Sequence, residues 1–574
     1  MDSAVGSGAT GSTAKATPQA KLTSVAFWGI CDIKYDPRLP NPRDRVRLLE
    51  LGDGRSSRFS HHGRAIKEKF DAEFRMDENP IKRAVMTENK KLTHDMFVTE
   101  GFSYLRPPTV AYPRRYNPGL ASDILMDLGI HDDKGEVVLK LCNRSRGAGI
   151  VVAKAHELDD VLRKLLSPPF GEAMDAWLKK RMSQALSPEW LEVTEEQLLH
   201  WWSNECPIFV AERCCHSIPV AMEGSDKLFD GTMRVAFALY RKVVNKYHEA
   251  VHVKPFEIAW LGGYWKLPKV PVEDGGDDLL GLHERIVSSF NSVEKRTAEV
   301  SPEHLQEVFD ALTPALPCVF HSGAISVHRI MNSYQEDPLF RAFALARVAA
   351  AMRAGEMPKA LGLFDLARRV IKSPARPDAE SLPESSVLSY IERNEGVCPC
   401  LEGKWEKADQ KWRLALRLHP LNSTAYYCAG CFHQETGGLD AAIECQLKSI
   451  ALDPDFKSPY CGLGNAHMLK GNFDAAMEAG VACLRRHPDA PVAHFIIAQS
   501  VYHRFCRGAV RKQEDVAELT DRAQKAFELA KRRVPEQWTE GDEAMLQYFL
   551  NGGPRDRGHK EQAVHIWKVY GWRP

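Results

Sequence analysis

The residues with the clearest chemical potential lie between Val137 and Val152, which read VVLKLCNRSRGAGIVV. An apolar run that carries Lys140 leads into a polar loop with Gly147 and Gly149, and a second apolar run follows. β-Branched runs bounded by turn residues are typical of strands, so the pattern predicts a strand, a glycine loop and a second strand. Because glycine has no Cβ, the amides of the loop can approach a ligand closely.

A hairpin of this kind can fold over a polyphosphate. Arg144 or Arg146 would lie above the phosphates, and the Lys140 ammonium would reach them from the strand. The alternative is an ordinary hairpin with a solvated basic tip, because short glycine motifs are common by accident. The flanking sequence therefore has to decide between the two.

A helix with two lysines in its first turn precedes the hairpin. Thr87 or Asn89 can cap this helix, and Gly101 can end it. The helix dipole disfavours cations in a first turn, so Lys90 and Lys91 indicate an anionic ligand nearby.

Three further strand-like segments carry polar residues at their ends. VRLLELGDG contains Glu50 near its C-terminal edge, where open α/β sheets bind ligands, although Asp-Gly also forms ordinary turns. FDGTMRVAFALY places Asp230 before a strand and Arg234 inside it, and FEIAWLGGYWKLPKV carries Lys266 and Lys269. Such residues suit the mouth of a phosphate or carboxylate site, and a basic edge strand is the alternative.

The order of these features resembles the ATP-grasp superfamily over roughly residues 90–269. Its hinge candidate is PIFVAERCCHSIPV, which contains Glu212. The resemblance implies that a first-turn lysine and the strand lysine hold the α- and β-phosphates, that the glycine loop covers the triphosphate, and that the hinge meets ribose and adenine. The implied ATP-binding residues are Lys90, Lys91, Lys140, Arg146, Gly147, Gly149, Glu212 and Cys214.

The resemblance also implies catalytic and metal-binding residues. The resemblance implies that Arg234 contacts the transferring phosphate. Lys266, at the mouth of the expected site, is the second predicted catalytic residue. Active members usually end the fold with a carboxylate and, two positions on, an asparagine that together hold Mg²⁺, but VFHSGAISVHRIMNS offers Asn332 without a carboxylate. Magnesium prefers hard oxygen ligands, so Asp230 and Glu257 complete the expected set with Asn332. Otherwise, the domain binds nucleotide without catalysis.

A repeat of 34 residues dominates the C-terminal half. Pro420, Pro454 and Pro488 share this spacing, and three further registers repeat it: Gly396, Gly430 and Gly464; Gly403, Gly437 and Gly471; Ala408, Ala442 and Ala476. The pattern resembles the tetratricopeptide repeat (TPR), which implies antiparallel helix pairs stacked into a superhelix with a concave face for a peptide or protein partner.

The sequence thus predicts an α/β, ATP-grasp-like half followed by an all-α TPR superhelix. The expected divisions are a disordered tail (1–22), an N-terminal α/β subdomain (23–85), an ATP-grasp-like domain (86–335), the TPR array (340–537) and capping helices (538–574). With a formal net charge of zero over 574 residues, the chain has no overall attraction to nucleic acid or to an anionic membrane. The fourteen cysteines are scattered, which favours reduced thiols and a cytoplasmic location.

Two functions follow from these predictions. The first is an ATP-dependent ligase that joins a small-molecule or peptide carboxylate to an amine or a thiol through an acyl phosphate, with the repeats recruiting a protein or peptide. The second is an interaction scaffold whose nucleotide-binding domain is regulatory or has lost catalysis.

Overall fold

The computed structural model describes most of the chain between residues 23 and 506. The described residues are 23–53, 89–144, 147–186, 193–242, 256–274, 276, 278–287, 296–321, 327–353, 355–371, 382–487 and 490–506, with 521, 524 and 528. The predicted tail (1–22), the predicted capping helices (538–574) and Arg146 lie outside them.

The described strands form two larger antiparallel sheets and one short pair. They are β1 (Thr23–Tyr35), β2 (Val46–Asp53), β3 (Thr109–Pro113), β4 (Glu136–Leu141), β5 (Val151–Lys154), β6 (Ile208–Arg213), β7 (Val220–Ala221), β8 (Leu228–Phe229), β9 (Thr232–Lys242), β10 (Glu257–Lys266) and β11 (Thr297–Ala298). The five-stranded sheet has the order β11-β10-β9-β1-β2, and the four-stranded sheet has the order β3-β6-β4-β5.

The helices fall into two groups. Those of the N-terminal half are α1 (Lys90–Thr99), α2 (Leu120–Asp127), α3 (Leu158–Leu166), α4 (Glu172–Gln184), α5 (Val193–Trp202), α6 (Leu279–Ile286), α7 (Pro302–Leu312), α8 (Ala315–His321) and α9 (Val327–Ser333). Those of the C-terminal half are α10 (Pro338–Met352), α11 (Met357–Val370), α12 (Leu382–Leu401), α13 (Trp405–Leu418), α14 (Ser423–Glu435), α15 (Leu439–Leu452), α16 (Lys457–Lys470), α17 (Phe473–Arg486) and α18 (Pro491–Cys506).

The five-stranded sheet joins segments that are distant in sequence. β1 lies between β2 and β9, with Asp32 opposite Glu50 on one side and Arg234 on the other. Strands β1 and β2, from the predicted 23–85 subdomain, therefore share a sheet with β9 and β10 of the predicted 86–335 domain. Alternation along β1 sends Cys31 and Ile33 into the core and Asp32 to the opposite face.

The four-stranded sheet contains the predicted strand, glycine loop and strand as β4 and β5. Its apolar face, with Val137 and Leu139 of β4, packs under α2, α3 and α5. Alternation places Val138 and Lys140 on the other face. The helical segment between β5 and β6 supplies Trp201, which is buried against Phe209.

The C-terminal helices stack in antiparallel pairs, with α10 against α11, α12 against α13, α14 against α15, and α16 against α17. The glycines of one 34-residue register, Gly396, Gly430 and Gly464, lie where helices approach closely. A Cβ on Gly430 would come within 2.5 Å of Gln446 Nε2, and one on Gly396 within 2.7 Å of Trp412 Nε1. Small residues are therefore required at these crossings.

The helix α4 of the N-terminal half packs on α15 of the array. Leu178 of α4 joins a buried cluster with Ile450 and Tyr460 of the array. Among the helices that the structure describes, none combines the length and the apolar character needed to cross a bilayer.

Candidate functional site

A row of polar residues crosses the centre of the five-stranded sheet. Tyr264, Arg234, Asp32 and Glu50 are successive cross-strand neighbours on β10, β9, β1 and β2. Arg234 donates two hydrogen bonds to Asp32, from Nε to Oδ1 at 2.6 Å and from Nη2 to Oδ2 at 2.7 Å. Lys266 Nζ lies 3.4 Å from the same Oδ2. The two residues predicted to be catalytic are therefore brought together by one carboxylate.

Burial and charge act in opposite directions on this group. Burial alone would raise the pKa of Asp32, but Arg234 and Lys266 outweigh it and hold that pKa well below its usual range. Burial lowers the pKa of Lys266, although Asp32 partly opposes this. Perturbed lysines beside a fixed carboxylate are a feature of binding and catalytic sites as well as of structural ion pairs.

The four-stranded sheet contributes a second ion pair. Lys140 of β4 donates to Glu212 Oε2 of β6, and Arg106 Nη2 lies 3.4 Å from Glu212 Oε1. Burial alone would raise the pKa of Glu212. Lys140 and Arg106 outweigh this effect and lower the pKa below its usual value, so the carboxylate stays charged. Arg106 also donates to the carbonyl of Leu48 on β2 at 2.7 Å and thus connects the two sheets.

Lys90 connects the start of α1 to the segment after β4 and to Glu50 of β2. The Asn89 side chain caps the helix, as predicted, and Lys90 N donates to the carbonyl of Cys142 at 2.8 Å. Lys90 Nζ donates to the carbonyl of Arg144 and lies 3.7 Å from Glu50 Oε1.

Lys91, the alternative to Lys90, lies elsewhere. Its ammonium pairs with Asp95 at 3.0 Å, one helical turn away, and lies 5.5 Å from the centre of the Tyr334 ring. The structure therefore distinguishes Lys90 from Lys91, which the sequence offered as alternatives.

We call these linked residues the inter-sheet charge cluster. Within the described part of the chain it contains more cations than carboxylates, because five basic side chains meet three acidic ones. Its members are Lys90, Arg106, Lys140, Arg234, Lys266, Asp32, Glu50 and Glu212. A polyanion is the kind of ligand that such an excess favours.

The glycine loop lies beside this cluster and is held in place. Gly147 and Gly149 have φ angles of +84° and +72°, a region that favours glycine. Trp201 Nε1 donates to the carbonyl of Gly149 at 2.9 Å. On the other side of the loop, Arg144 Nη1 lies 3.3 Å from Asp453 Oδ2 of the helical array.

The predicted hinge forms a separate polar group. Cys214 N donates to the carbonyl of Glu136 at 3.0 Å, which ties the end of β6 to the start of β4. His216 Nδ1 lies 2.9 Å from Asp230 Oδ2, and its Nε2 lies 3.2 Å from Glu136 Oε2. Hydrogen bonding to Asp230 and Glu136 raises the pKa of His216 to about 12.

The predicted metal ligands are not brought together, which corrects the expected magnesium set. Asp230 precedes the start of β9, whereas Glu257 is paired with Tyr240 near its other end. Eight residues of strand separate Thr232 from Tyr240, which corresponds to about 26 Å. Asn332 is exposed on α9. The oxygens of Asp230 instead accept from Lys34, Ser217 N and His216.

Sequence reasoning missed Asp32 and Arg106. Asp32 lies in the run GICDIKY, where charged residues alternate with apolar ones, so the pattern itself indicated a polar face on a strand. Arg106 lies between Leu105 and Pro107 and gave no comparable signal.

Contacts between the two halves follow one edge of the helical array. The ion pairs are Arg115–Glu384 (3.3 Å), Glu205–Arg393 (2.9 Å), Arg144–Asp453 (3.3 Å) and Glu196–Arg486 (3.0 Å). The array is thus attached along its length to the N-terminal half.

Comparisons with known proteins support the repeat array. Residues 423–456, which span α14 and α15, match the family model of the tetratricopeptide repeat. Residues 423–456 therefore form a TPR repeat within the stack of helix pairs. No curated protein matches the chain.

Solved structures with weak similarity include two of MamA, with 20% and 22% identity over 34% and 32% of this chain and 97% and 96% of theirs, each with a TM-score of 0.24. A third is YrrB, described as a TPR protein with an unusual peptide-binding site, with 13% identity over 42% of this chain and 100% of that one, and a TM-score of 0.27.

Proposed function

We propose that the TPR array of this chain binds an extended segment of a protein or peptide partner. The observation that carries the proposal is the family match at residues 423–456, placed within a stack of helix pairs. Arrays of this kind stabilise themselves through neighbouring repeats and present an extended concave surface to partners.

The first helices of the repeats supply the proposed surface. Tyr427 and Cys431 on α14, and Cys461 and Asn465 on α16, are all partly exposed. The Tyr427 ring packs edge-on against Phe456, 5.2 Å between centres, which restrains its orientation. This strip carries aromatic, thiol and amide groups rather than charges, so it suits an extended segment with small apolar or aromatic side chains.

Peptides selected from a random display library against the full-length chain test this proposal. Tyr427→Ala and Cys431→Arg should each weaken the affinity of selected peptides at least about tenfold, since a central aromatic contact typically costs more than 1 kcal/mol when removed. Lys407→Ala, an exposed change on the second helix α13, is the control and should leave affinity unchanged. Unchanged affinity in both strip variants would contradict the proposal.

A second candidate function is binding of a nucleoside triphosphate by the N-terminal half. The inter-sheet charge cluster favours it, because Lys90 and Lys140 belong to one linked set with an excess of cations beside a loop that contains two positive-φ glycines. The resemblance to ATP-grasp proteins adds a reason to choose ATP as the first ligand to test. In the free protein, Glu212 and Asp32 would hold the basic side chains in position.

If this domain is a ligase, the cluster would act mainly through charge. A substrate carboxylate oxygen would attack the γ-phosphorus of ATP, ADP would leave, and an amine or thiol would then displace phosphate from the acyl phosphate. Arg234 and Lys266 would neutralise the charge on the transferring group. The expected Mg²⁺ ligands do not fit one site, so no step is assigned to a metal bound by them.

Thermal unfolding of the full chain with and without ATP tests this candidate. At a hundredfold excess over its dissociation constant, ATP should stabilise the domain by about 2.7 kcal/mol. Lys140→Ala and Lys90→Ala should abolish the shift, whereas Lys91→Ala should retain it, because Lys91 lies outside the cluster. No shift in the wild-type chain would leave only the partner-binding function. A shift without ADP release over a panel of carboxylates and amines would indicate a sensor.

A further inference from the structure

Three potential metal ligands converge where β4 begins and β6 ends. The carboxylate of Glu136, the thiol of Cys214 and the imidazole of His216 lie with their ligand atoms within 4.8 Å of one another. They come from two adjacent strands that are joined by the backbone hydrogen bond between Cys214 and Glu136. The backbone therefore fixes the relative positions of the two segments.

The spacing of these atoms suits a shared ion. Two nitrogen or oxygen ligands about 2.0–2.1 Å from a tetrahedral metal lie about 3.3–3.4 Å apart. His216 Nε2 and Glu136 Oε2 are 3.2 Å apart. Glu136 Oε2 is buried, and His216 Nε2 faces it at this distance. An ion placed between the two atoms could bind both.

A second layer of contacts orients the histidine. His216 Nδ1 faces Asp230 Oδ2 at 2.9 Å, so a proton on Nδ1 directs the lone pair of Nε2 toward Glu136. Asp230 is itself held by Lys34 Nζ at 2.7 Å and by Ser217 N at 2.8 Å. A carboxylate behind a ligating histidine is the usual arrangement at protein zinc sites.

We propose that Glu136, Cys214 and His216 form a site for a divalent metal of the zinc type, with Asp230 as a positioning residue. One sulfur, one nitrogen and one oxygen donor match Zn²⁺ better than Mg²⁺ or Ca²⁺. Three protein ligands leave a fourth position, and the His216 side chain is 54% exposed, so an ion can enter from solvent. Glu136 precedes Lys140 by four residues of strand, about 13 Å, which keeps this site separate from the inter-sheet charge cluster.

The two oxygens of Glu136 have different neighbours. Arg285 Nη2 lies 3.4 Å from Oε1, whereas Oε2 is the oxygen that faces His216 Nε2. Oε2 is therefore the oxygen assigned to the ion.

Cobalt(II) titration of the full-length, chelator-treated protein tests the site. A bound thiolate gives Co²⁺ a charge-transfer absorption in the near ultraviolet, and Zn²⁺ should displace it. We expect one equivalent of this signal in the wild-type chain, its loss in Cys214→Ser, and an affinity about 10- to 100-fold weaker in Asp230→Asn. Cys215→Ser is the matched control, since its thiol faces the carbonyl of Arg213 at 3.6 Å and should keep the full signal.

A measurement on the unmodified chain avoids dependence on variants that fail to fold. Mass spectrometry after brief alkylation should show Cys214 protected by Zn²⁺ and Cys215 unaffected. A cobalt–thiolate signal that survives in folded Cys214→Ser, or equal alkylation of Cys214 with and without Zn²⁺, would overturn the proposal.

Discussion

Arg144 in the glycine loop and Asp453 in the TPR array form an ion pair of 3.3 Å across the boundary between the two halves. The loop is therefore in direct contact with the array, and the arrangement of one can affect the other. Arg144 Nη2 also lies 3.2 Å from Ser203 Oγ, which holds the same side chain from the N-terminal half.

Removing the charge of Asp453 should loosen the glycine loop. In Asp453→Asn, we expect faster amide hydrogen exchange in residues 142–144 and 147–150, with a loss of global stability of about 1–3 kcal/mol, because Asp453 is buried and its loss leaves Arg144 without its charged partner. Hydrogen exchange followed by mass spectrometry measures both. Asp440→Asn, which breaks an exposed pair with Lys470, is the control and should leave the loop unchanged. Equal exchange in wild type and Asp453→Asn would rule out coupling through this pair.

Neutralising Asp32 should strongly destabilise the N-terminal half. Asp32→Asn leaves the guanidinium of Arg234 and the ammonium of Lys266 buried beside a neutral amide, and breaking such a buried pair costs about 3–5 kcal/mol. Urea unfolding monitored by tryptophan fluorescence measures the change. The comparison is Asp44→Asn, whose exposed pair with Arg47 is screened by solvent and should change stability far less. Similar effects of the two changes would contradict the assigned role of Asp32.

The histidine His419 should make stability depend on pH. Burial, with Arg114 and Arg144 nearby, lowers its pKa to about 3 from an ordinary value of 6.5. The unfolded chain thus takes up a proton that the folded chain excludes. The stabilising effect of this residue is complete above pH 6.5 and is lost as the pH falls toward 3.

We expect the free energy of unfolding of the wild type, measured with urea, to fall by up to about 1.4 kcal/mol per pH unit below pH 6.5 because of His419. In His419→Asn, the slope of the unfolding free energy against pH should be smaller by that amount, because the other titrating groups contribute equally to both proteins. Parallel slopes between pH 7 and 4 would show that the folded protein protonates His419 normally.

Two glycines with similar φ angles should respond differently to alanine. Gly149 and Gly403 have φ angles of +72° and +73°, so each substitution costs about 1–2 kcal/mol of backbone energy. A Cβ on Gly149 would also lie 2.5 Å from Leu141 Cδ1, whereas nothing lies within 4 Å of one on Gly403. Gly149→Ala should therefore lower the unfolding temperature more than Gly403→Ala and alter the fluorescence of Trp201. Equal shifts would mean that Leu141 moves aside without cost.

Local signals made part of this structure predictable. The cap at Asn89, the hairpin around the glycine loop and the 34-residue repeat each depend on residues that are close in sequence. Pairings between distant segments were not predictable. Asp32 meets Arg234 only because β1 lies beside β9, and the register of β10 places Glu257 far from Asp230.

Because of the ion pairs along the array, its helix pairs are not interchangeable. In a free solenoid, a unit can be added or removed because each touches only its neighbours. Here Glu384, Asp453 and Arg486, on successive helix pairs, each meet a different residue of the N-terminal half. Inserting or deleting one 34-residue unit would shift every later ion pair out of alignment. The contacts with the N-terminal half therefore fix the number of repeats between them.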